Sequence, residues 1–305
     1  MREPNFIVAG APRCGTTALY AYLSEHPQIF MSKVKELNYF AEDFPNMQKI
    51  NFRRHEDYLQ LFDDATAEHF GIGEASPFYL FSDVAFEKMY AALPNAKIIV
   101  SLRNPVDFIH SYHRLNLTLL REDETDLQKA WALQEKRMRG EALPTHLREP
   151  ELLMYGELGK FSPYIERLFA IYPREQVKVV LLDDLRADTK SLYEEVLAFL
   201  EIPSDGRDEF AQVNSNFENK SKILAKIFHP SPKIYDFFMK TISLFGTGFM
   251  EKVSIFYNKI ERLNITPTQR SEMDAEFRAY LIEYFRDDIE KLSALLDRDL
   301  SAWLT

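Results

Sequence analysis

The chain has 305 residues, and 46% of them are hydrophobic, which is ample for a packed core and excludes a disordered chain. The formal net charge of −10 argues against a general role on nucleic acid or on anionic polysaccharides, because such partners require a basic face. A single cysteine, Cys14, excludes an internal disulfide and is typical of a reducing cytoplasm, where we expect this protein.

The first predicted element is a buried strand at Phe6–Ala9, followed by the loop Gly10-Ala11-Pro12-Arg13-Cys14-Gly15-Thr16-Thr17 and a helix over Ala18–Glu25. A glycine loop between a strand and a helix start presents free N–H groups to a phosphate. The loop resembles the G-x-x-x-x-G-K-[ST] pattern, but Thr16 stands where the lysine would be, and the only cation is Arg13. The pattern therefore points away from kinases and ATPases. An ordinary strand–turn–helix connection is the alternative.

Three further apolar runs predict strands at Phe70–Gly73, Lys97–Leu102 and Val177–Leu182. Their hydrophobicity is continuous, as a sheet covered on both faces requires. Helical patterns lie between and after them, over 83–92, 107–120, 164–172 and 189–200. This alternation predicts an α/β fold of the P-loop type, with three layers, a central mainly parallel sheet and flanking helices. We expect one domain over 1–305.

The remaining segments are less regular. Residues 121–160 are charged and poorly periodic, and we interpret them as surface helix and loop. Residues 223–260 are rich in aromatic residues, which fits either an acceptor-site lid or membrane-facing patch, or a helical core layer. From Thr266-Pro267 onward a long amphipathic helix is predicted. No run approaches about 20 apolar residues and no signal peptide is visible, so we expect no transmembrane segment; a peripheral membrane contact through 228–257 stays open.

A second anion site is predicted after the third strand. Arg103 directly follows that strand, and Ser111 comes eight residues later on the next predicted helix. Ligands of open α/β sheets bind beyond the carboxyl ends of the strands, where a guanidinium and a hydroxyl would hold a phosphate. Two phosphate sites imply a nucleotide that is phosphorylated at two places. A surface ion pair is the ordinary alternative for Arg103.

With these residues in view, the chain resembles the sulfotransferases that use 3′-phosphoadenosine 5′-phosphosulfate (PAPS), especially the branch with the heparan-sulfate sulfotransferases. The resemblance covers nearly the whole chain. It rests mainly on four segments, which are Arg13-Cys14-Gly15-Thr16-Thr17, Arg103-Asn104-Pro105 with Ser111, Lys35-Glu36-Leu37-Asn38-Tyr39-Phe40, and Gly73-Glu74-Ala75-Ser76-Pro77-Phe78-Tyr79-Leu80. One departure is Arg13, where many members have lysine, because an arginine fork donates in fixed geometry and a lysine is a movable point charge.

The resemblance implies in-line transfer of a sulfuryl group from PAPS, with 3′,5′-bisphosphoadenosine (PAP) as product and no metal. It implies Glu36 as the general base, Lys35 as its neighbour at the sulfuryl group, and Glu74 as the second choice of base. It assigns the nucleotide to a set of residues that comprises Arg13, Cys14, Gly15, Thr16, Thr17, Ala18, Arg103 and Ser111. Arg13 would also stabilise the leaving phosphate.

Two other functions and the acceptor remain open. A P-loop kinase would use Val179–Asp184 as a metal-binding strand end, and a catalytically silent nucleotide-binding protein would keep only the fold. The acidic composition disfavours a polyanionic glycan as acceptor. We expect a small molecule or a sugar, modified at a hydroxyl rather than an amine, and no nucleic-acid partner. The sequence does not indicate an oligomeric state.

Overall fold

The computed structural model describes residues 2–47, 52, 54–145, 147, 149–212, 217–221, 224–225, 237, 241, 247–267 and 272–305. They group into two compact units, each discontinuous in sequence. The first comprises Met1–Arg103, Leu168–Ser215 and Met239–Phe256, and the second Asn104–Arg167, Asn216–Phe238 and Tyr257–Thr305. The assignment of 1–305 to one domain stays a prediction.

The first unit contains a five-stranded parallel sheet. Its strands are β1 (Phe6–Gly10), β2 (Ile29–Met31), β3 (Gly71–Ala75), β4 (Lys97–Leu102) and β5 (Val177–Leu181), in the order β2-β3-β1-β4-β5. Val8 of β1 pairs with Ala75 on one side and with Ile99 on the other. The predicted α/β fold with a central parallel sheet is confirmed, as are its four strands, while β2 was not predicted.

Helices bury their apolar faces against this sheet. Those of the first unit include α1 (Thr16–Ser24), α2 (His55–Leu59), α3 (Ala85–Ala92), α9 (Leu182–Ala187) and α10 (Thr189–Leu200). Leu19 and Leu23 of α1 form one core cluster with Val196 and Leu197 of α10 and with Val8 of the central strand. Each fully buried side chain of this size contributes about 1.5–3 kcal/mol.

The second unit is mainly helical. Its elements are α4 (Pro105–Thr118), α5 (Leu127–Ala132), α6 (Gln134–Met138), α7 (Tyr155–Leu158), most of α8 (Ser162–Ile171), the end of α11 (Thr247–Glu261) and α12 (Ala275–Leu296), with an antiparallel pair of β6 (Phe217–Asn219) and β7 (Ile265–Pro267). The helical spacing predicts an apolar stripe on this helix, and five of its seven members on α12 are buried, namely Phe277, Leu281, Phe285, Ile289 and Leu292. The other two differ from the prediction, since Tyr284 is 37% exposed and Leu296 is only partly buried.

Two sequence interpretations in this unit are wrong. The last helix does not begin at Thr266-Pro267, because these residues pair with Phe217 and Glu218 as strand β7. Helix α12 begins at Ala275, where the Asp274 carboxylate accepts the N–H of Phe277 and caps the first turn. Residues 121–160 are also not all at the surface, since Glu122 and Arg137 are buried as a pair.

Of the aromatic segment 223–260, residues 223, 226–236, 238–240 and 242–246 lie outside the described residues. Three of its described aromatic residues, Phe237, Phe249 and Phe256, are exposed. The lid, the membrane-facing patch and the core layer therefore remain alternative predictions for this segment. In the part of the chain that the structure describes, no helix combines the length and the apolar character needed to cross a membrane.

Candidate functional site

The loop after β1 leads directly into the N-terminus of helix α1. Gly15 caps α1 in the left-handed conformation (φ 90°), and its carbonyl accepts the N–H groups of Ala18 and Leu19 at 2.9 and 3.1 Å. The helix therefore begins at Thr16, and the N–H groups of Gly15, Thr16 and Thr17 lie at its N-terminus, where helix N–H groups have no acceptor within the helix. The positive end of the helix dipole adds a favourable field for an anion.

The end of the neighbouring strand β4 holds this loop. The N–H of Ala11 donates to the Ser101 carbonyl at 2.7 Å, and the Ser101 hydroxyl donates to the Cys14 carbonyl at 2.5 Å. The buried guanidinium of Arg103 donates to the carbonyl of Arg13 at 3.2 Å. Arg13 itself has a left-handed backbone (φ 66°), which is unusual for a residue with a side chain. The side chain of Arg103 therefore contacts the backbone of Arg13, so both arginines belong to the surroundings of this loop.

Cys14 is a buried filler of this loop. Burial raises the pKa of its thiol to about 12, against the opposing effect of the charges of Arg103 and Arg13. The thiol is therefore protonated at neutral pH and is a poor nucleophile.

Glu36 and Lys35 lie beyond the end of β3. The N–H of Glu36 donates to the Ala75 carbonyl at 2.8 Å, so its backbone continues the edge of the sheet. The ammonium of Lys35 lies 3.1 Å from the Glu36 carboxylate, and both side chains are only partly buried. Glu36 has a left-handed backbone (φ 65°). Residues held in such conformations concentrate at functional sites, because the surrounding structure must enforce them.

Glu74 has a different environment. It is fully buried on β3, and it accepts hydrogen bonds from the hydroxyls of Ser76 at 2.6 Å, Tyr79 at 2.9 Å and Tyr58 at 3.0 Å. Burial raises the pKa of this carboxyl above its usual range, and the three hydroxyls act in the opposite direction. A carboxylate enclosed in this way binds its neighbours rather than an external substrate.

The strand order brings three of the predicted groups to one edge of the sheet. The phosphate loop follows the central strand β1, Glu36 is bonded to the end of β3 on one side, and Arg103 follows β4 on the other. Neighbouring strands lie about 4.8 Å apart, so the three groups surround the carboxyl end of β1. This edge is the candidate site of the first unit.

Other predicted residues lie elsewhere. Ser111 is buried on α4 in the second unit, and its pairing with Arg103 stays a prediction. His113, on the same helix, is buried with its Nε2 atom 2.8 Å from the Glu124 carbonyl, which fits a packing role. Asp183 and Asp184 lie in the first turn of α9. Among the described residues, no group of three His, Cys, Asp or Glu side chains is arranged to hold a metal ion.

Sequence reasoning missed two residues that hold backbone groups of this site, Ser101 and Asn38, and a third, Tyr58, that donates to the buried Glu74. Ser101 fixes the loop, and its only signal is a polar residue within the apolar run of β4. Asn38 and Tyr58 organise the surroundings of Glu36 and Glu74. Their roles could not be predicted locally, because the bond from the Asn38 N–H to Ser76 spans 38 residues and that from Tyr58 to Glu74 spans 16.

Comparison with known proteins places this geometry in a family. A family model described as "Sulfotransferase domain" matches residues 3–278. The chain is similar to the membrane-associated sulfotransferase kil1 of Dictyostelium discoideum, with 24% identity over 97% of this chain and 66% of that protein. It is 26% identical to the bifunctional heparan sulfate N-deacetylase/N-sulfotransferase 1 of Xenopus laevis, over 99% of this chain but only 31% of that protein.

A solved structure agrees with these matches over the full length. The crystal structure of a sulfotransferase from Alicyclobacillus acidocaldarius superposes with a TM-score of 0.70 and 27% identity, covering 100% of both chains.

Proposed function

The chain belongs to the sulfotransferase family, and on this premise we propose that it transfers a sulfuryl group from PAPS to a hydroxyl of a small-molecule or sugar acceptor. PAP is the second product. The observation that carries this proposal is the meeting of the phosphate loop, Glu36 and Arg103 around the carboxyl end of β1. A nucleotide with phosphates at two positions needs two cationic contacts, and Arg13 and Arg103 supply them.

The phosphate loop supports the leaving group. In the proposed step a bond forms between the acceptor oxygen and sulfur, and the bond from sulfur to the 5′-phosphate oxygen breaks with its electron pair. The phosphate of PAP gains negative charge, so Arg13 and the N–H groups of Gly15, Thr16 and Thr17 bind it more strongly as the bond breaks. Ala18 continues the first turn of the helix behind them. As in phosphoryl transfer, positioning and charge stabilisation do most of the work.

Glu36 is the proposed general base. It accepts the proton of the acceptor hydroxyl as the oxygen attacks, and its partly exposed carboxylate is accessible for this role. Lys35, which is ion-paired with Glu36, contributes positive charge beside that carboxylate and near the sulfuryl oxygens. Glu74 is the weaker choice of base because it is fully buried and already accepts three hydrogen bonds.

The acceptor is proposed only as a class. The chain spans 66% of its kil1 relative and 31% of the Xenopus laevis relative, so the substrates of those whole proteins do not transfer to it directly. The Xenopus laevis relative is named as an N-sulfotransferase, which makes an amine nitrogen the second choice of acceptor atom. A cytoplasmic location and a peripheral membrane contact through 228–257 are both predictions, the second in keeping with the membrane-associated relative.

Isothermal titration with PAP, with and without Mg²⁺ and beside ATP, tests the nucleotide part of this proposal. We expect PAP to bind without Mg²⁺ and Arg103→Ala to weaken binding by about 10–100-fold, because a hydrogen bond to a charged group is worth about 1.5–3 kcal/mol. Lys88→Ala, at an exposed ion pair with Glu42, is the matched control and should bind normally. A preference for ATP with Mg²⁺ would refute the proposal and favour a kinase.

An acceptor screen with PAPS then tests the chemistry, with Glu36→Gln as the matched variant. We expect turnover to fall by about 10²–10⁴-fold, while PAP affinity stays within twofold. Unchanged turnover in Glu36→Gln would remove Glu36 from the role of base.

A further inference from the structure

We propose that Glu74 is a positioning residue, which fixes the backbone of the Glu36 segment through the hydroxyls of Ser76 and Tyr79. This inference rests on the proposed function, because it assumes that Glu36 is the base. The segment concerned is Lys35–Phe40, and all of the residues involved belong to the first unit.

The first step is the direction of the hydrogen bonds around Glu74. Each hydroxyl has one proton to donate, and those of Ser76, Tyr79 and Tyr58 lie within hydrogen-bond distance of the Glu74 oxygens. An ionised carboxylate only accepts, so it draws all three protons toward itself. The hydroxyl oxygens are then left as acceptors that face away from Glu74.

The second step is what these oxygens accept. The N–H of Asn38 donates to the Ser76 hydroxyl at 3.0 Å, and the N–H of Phe40 donates to the Tyr79 hydroxyl at the longer distance of 3.4 Å. The buried carboxylate thereby sets which group donates and which accepts in the two hydrogen bonds that hold the chain after Glu36. The Ser76 link is the stronger, since 3.4 Å is near the limit of a hydrogen bond.

The third step connects Asn38 to Glu36. The side-chain amide of Asn38 donates to the Glu36 carbonyl at 3.2 Å and to the Met47 carbonyl at 2.9 Å. The N–H of Glu36 is held by the Ala75 carbonyl, so both peptide groups of Glu36 are fixed. Glu36 and Asn38 both have left-handed backbones, with φ of 65° and 50°. Such conformations are unfavourable for residues with a Cβ atom and persist only where the surroundings impose them.

Loss of the Ser76 link therefore frees the Glu36 backbone to relax toward an ordinary conformation. Its carboxylate would remain in the protein but would no longer point consistently at the acceptor. Because a displacement of about 1 Å at a reacting group can cost about 100-fold in rate, we expect a large effect on kcat. The nucleotide loop is held by Ser101 and Arg103 instead, so the affinity for the nucleotide should stay unchanged.

The chain offers a matched pair of variants. Ser76→Ala removes the link between Glu74 and Asn38. Tyr58→Phe removes a hydroxyl from the same buried carboxylate, but among the described residues this hydroxyl bonds to no backbone group of 35–40, and the ring keeps its stacking on Tyr39 at 4.5 Å. A merely structural role of Glu74 predicts that the two changes have similar consequences.

The experiment combines turnover with amide hydrogen exchange. We expect Ser76→Ala to lower kcat by about 10–100-fold with PAP affinity and the KM for PAPS within twofold, and Tyr58→Phe to lower kcat less than threefold. Exchange of the amides in 36–40 should accelerate at least tenfold in Ser76→Ala and stay unchanged in Tyr58→Phe. Equal losses of kcat, or equal exchange in the two variants, would overturn the proposal.

Two further points keep the test decisive. If Ser76→Ala does not fold, the nearly isosteric Glu74→Gln takes its place, with the same expected contrast to Tyr58→Phe. The exchange measurement does not depend on turnover, so a failure of Glu36 as base can be distinguished from a failure of Glu74 as positioning residue. In that case Glu36→Gln would retain activity while the contrast in amide exchange persisted.

Discussion

Gly15 has a left-handed backbone and a close packing environment, and both favour glycine at this position. A Cβ atom there would lie 2.9 Å from a Leu182 methyl group and 3.1 Å from one of Leu185, at a φ of 90°. We predict that Gly15→Ala lowers the free energy of unfolding by about 3 kcal/mol, from the left-handed backbone and the overpacking together. Urea denaturation followed by circular dichroism measures this loss.

Gly140 provides the control for the steric part of that loss. It also has a positive φ, 79°, but a Cβ atom there would meet nothing within 4 Å. Gly140→Ala should therefore cost only the conformational part, about 1–2 kcal/mol. If both variants lose the same stability, the contact with Leu182 and Leu185 is not what requires glycine at position 15.

Cys14 should be unreactive in the native protein. Its thiol pKa, raised to about 12 by burial, leaves almost no thiolate at pH 8. We predict no labelling by Ellman's reagent at pH 8 in buffer and one equivalent in urea, since this is the only cysteine of the chain. Stoichiometric labelling of the folded protein within minutes would show an accessible thiolate and reopen a nucleophilic role, and Cys14→Ala supplies the blank.

The predictability of the site at this scale depends on sequence distance. Arg13, Gly15 and the start of α1 were readable because loop, cap and helix are adjacent in the chain. The links around Glu36 were not, because the bond from Asn38 to Ser76 spans 38 residues and that from Tyr58 to Glu74 spans 16. A motif can indicate that such residues matter, but only the fold shows which atoms they join.

The same reasoning applies to whole elements. Strands β1, β3, β4 and β5 were predictable because a strand covered on both faces is a continuous apolar run. Strand β2 has only three residues and gave no such signal. The start of α12 was misplaced because Pro267 suits a helix start and an edge strand equally, and its pairing with Phe217 depends on residues far away.

The segment after α4 depends on one buried ion pair. The Glu122 carboxylate accepts both Arg137 nitrogens, at 2.6 and 2.7 Å, and the Tyr155 hydroxyl at 2.8 Å, which ties α6 and α7 to the chain after α4. We predict that Glu122→Gln lowers the free energy of unfolding by about 3–5 kcal/mol, because Arg137 is left buried without a countercharge. Glu141→Gln, at the exposed pair with Arg139, should cost at most about 1 kcal/mol.

This pair also predicts a dependence on pH. Burial alone would raise the pKa of Glu122, but the hydrogen bonds from Arg137, the Glu124 backbone and Tyr155 hold it below 4.5. A carboxyl whose pKa is lower in the folded state stabilises the protein above its unfolded pKa and loses this effect as the pH falls. Urea titrations between pH 6 and 3 should show a steeper loss in the native chain than in Glu122→Gln. Parallel curves would exclude a contribution from this carboxyl.

At the scale of the molecule, topology accounts for the part of the site that the sequence could predict. The strand order places β1 in the centre, so any loop after β1 is flanked by the ends of β3 and β4. Alternating strands and helices predicted this sheet, and the rule for open α/β sheets then predicted the edge at which we expect the ligand. The acceptor has no comparable rule, because acceptor pockets are shaped by irregular segments that differ among proteins of one fold.

Net charge is the property of the whole chain that bears on the acceptor. At −10, the long-range field repels a polyanionic glycan, and at 0.1 M salt this field still acts within about 10 Å of the surface. We therefore predict that the protein passes through a heparin column in 0.1 M NaCl at pH 7 but is retained on immobilised PAP, whose contacts are local. Retention on heparin that requires more than about 0.3 M NaCl for elution would contradict the charge argument. It would require a basic groove that outweighs the net charge, and a sulfated or carboxylated glycan would then become the preferred acceptor.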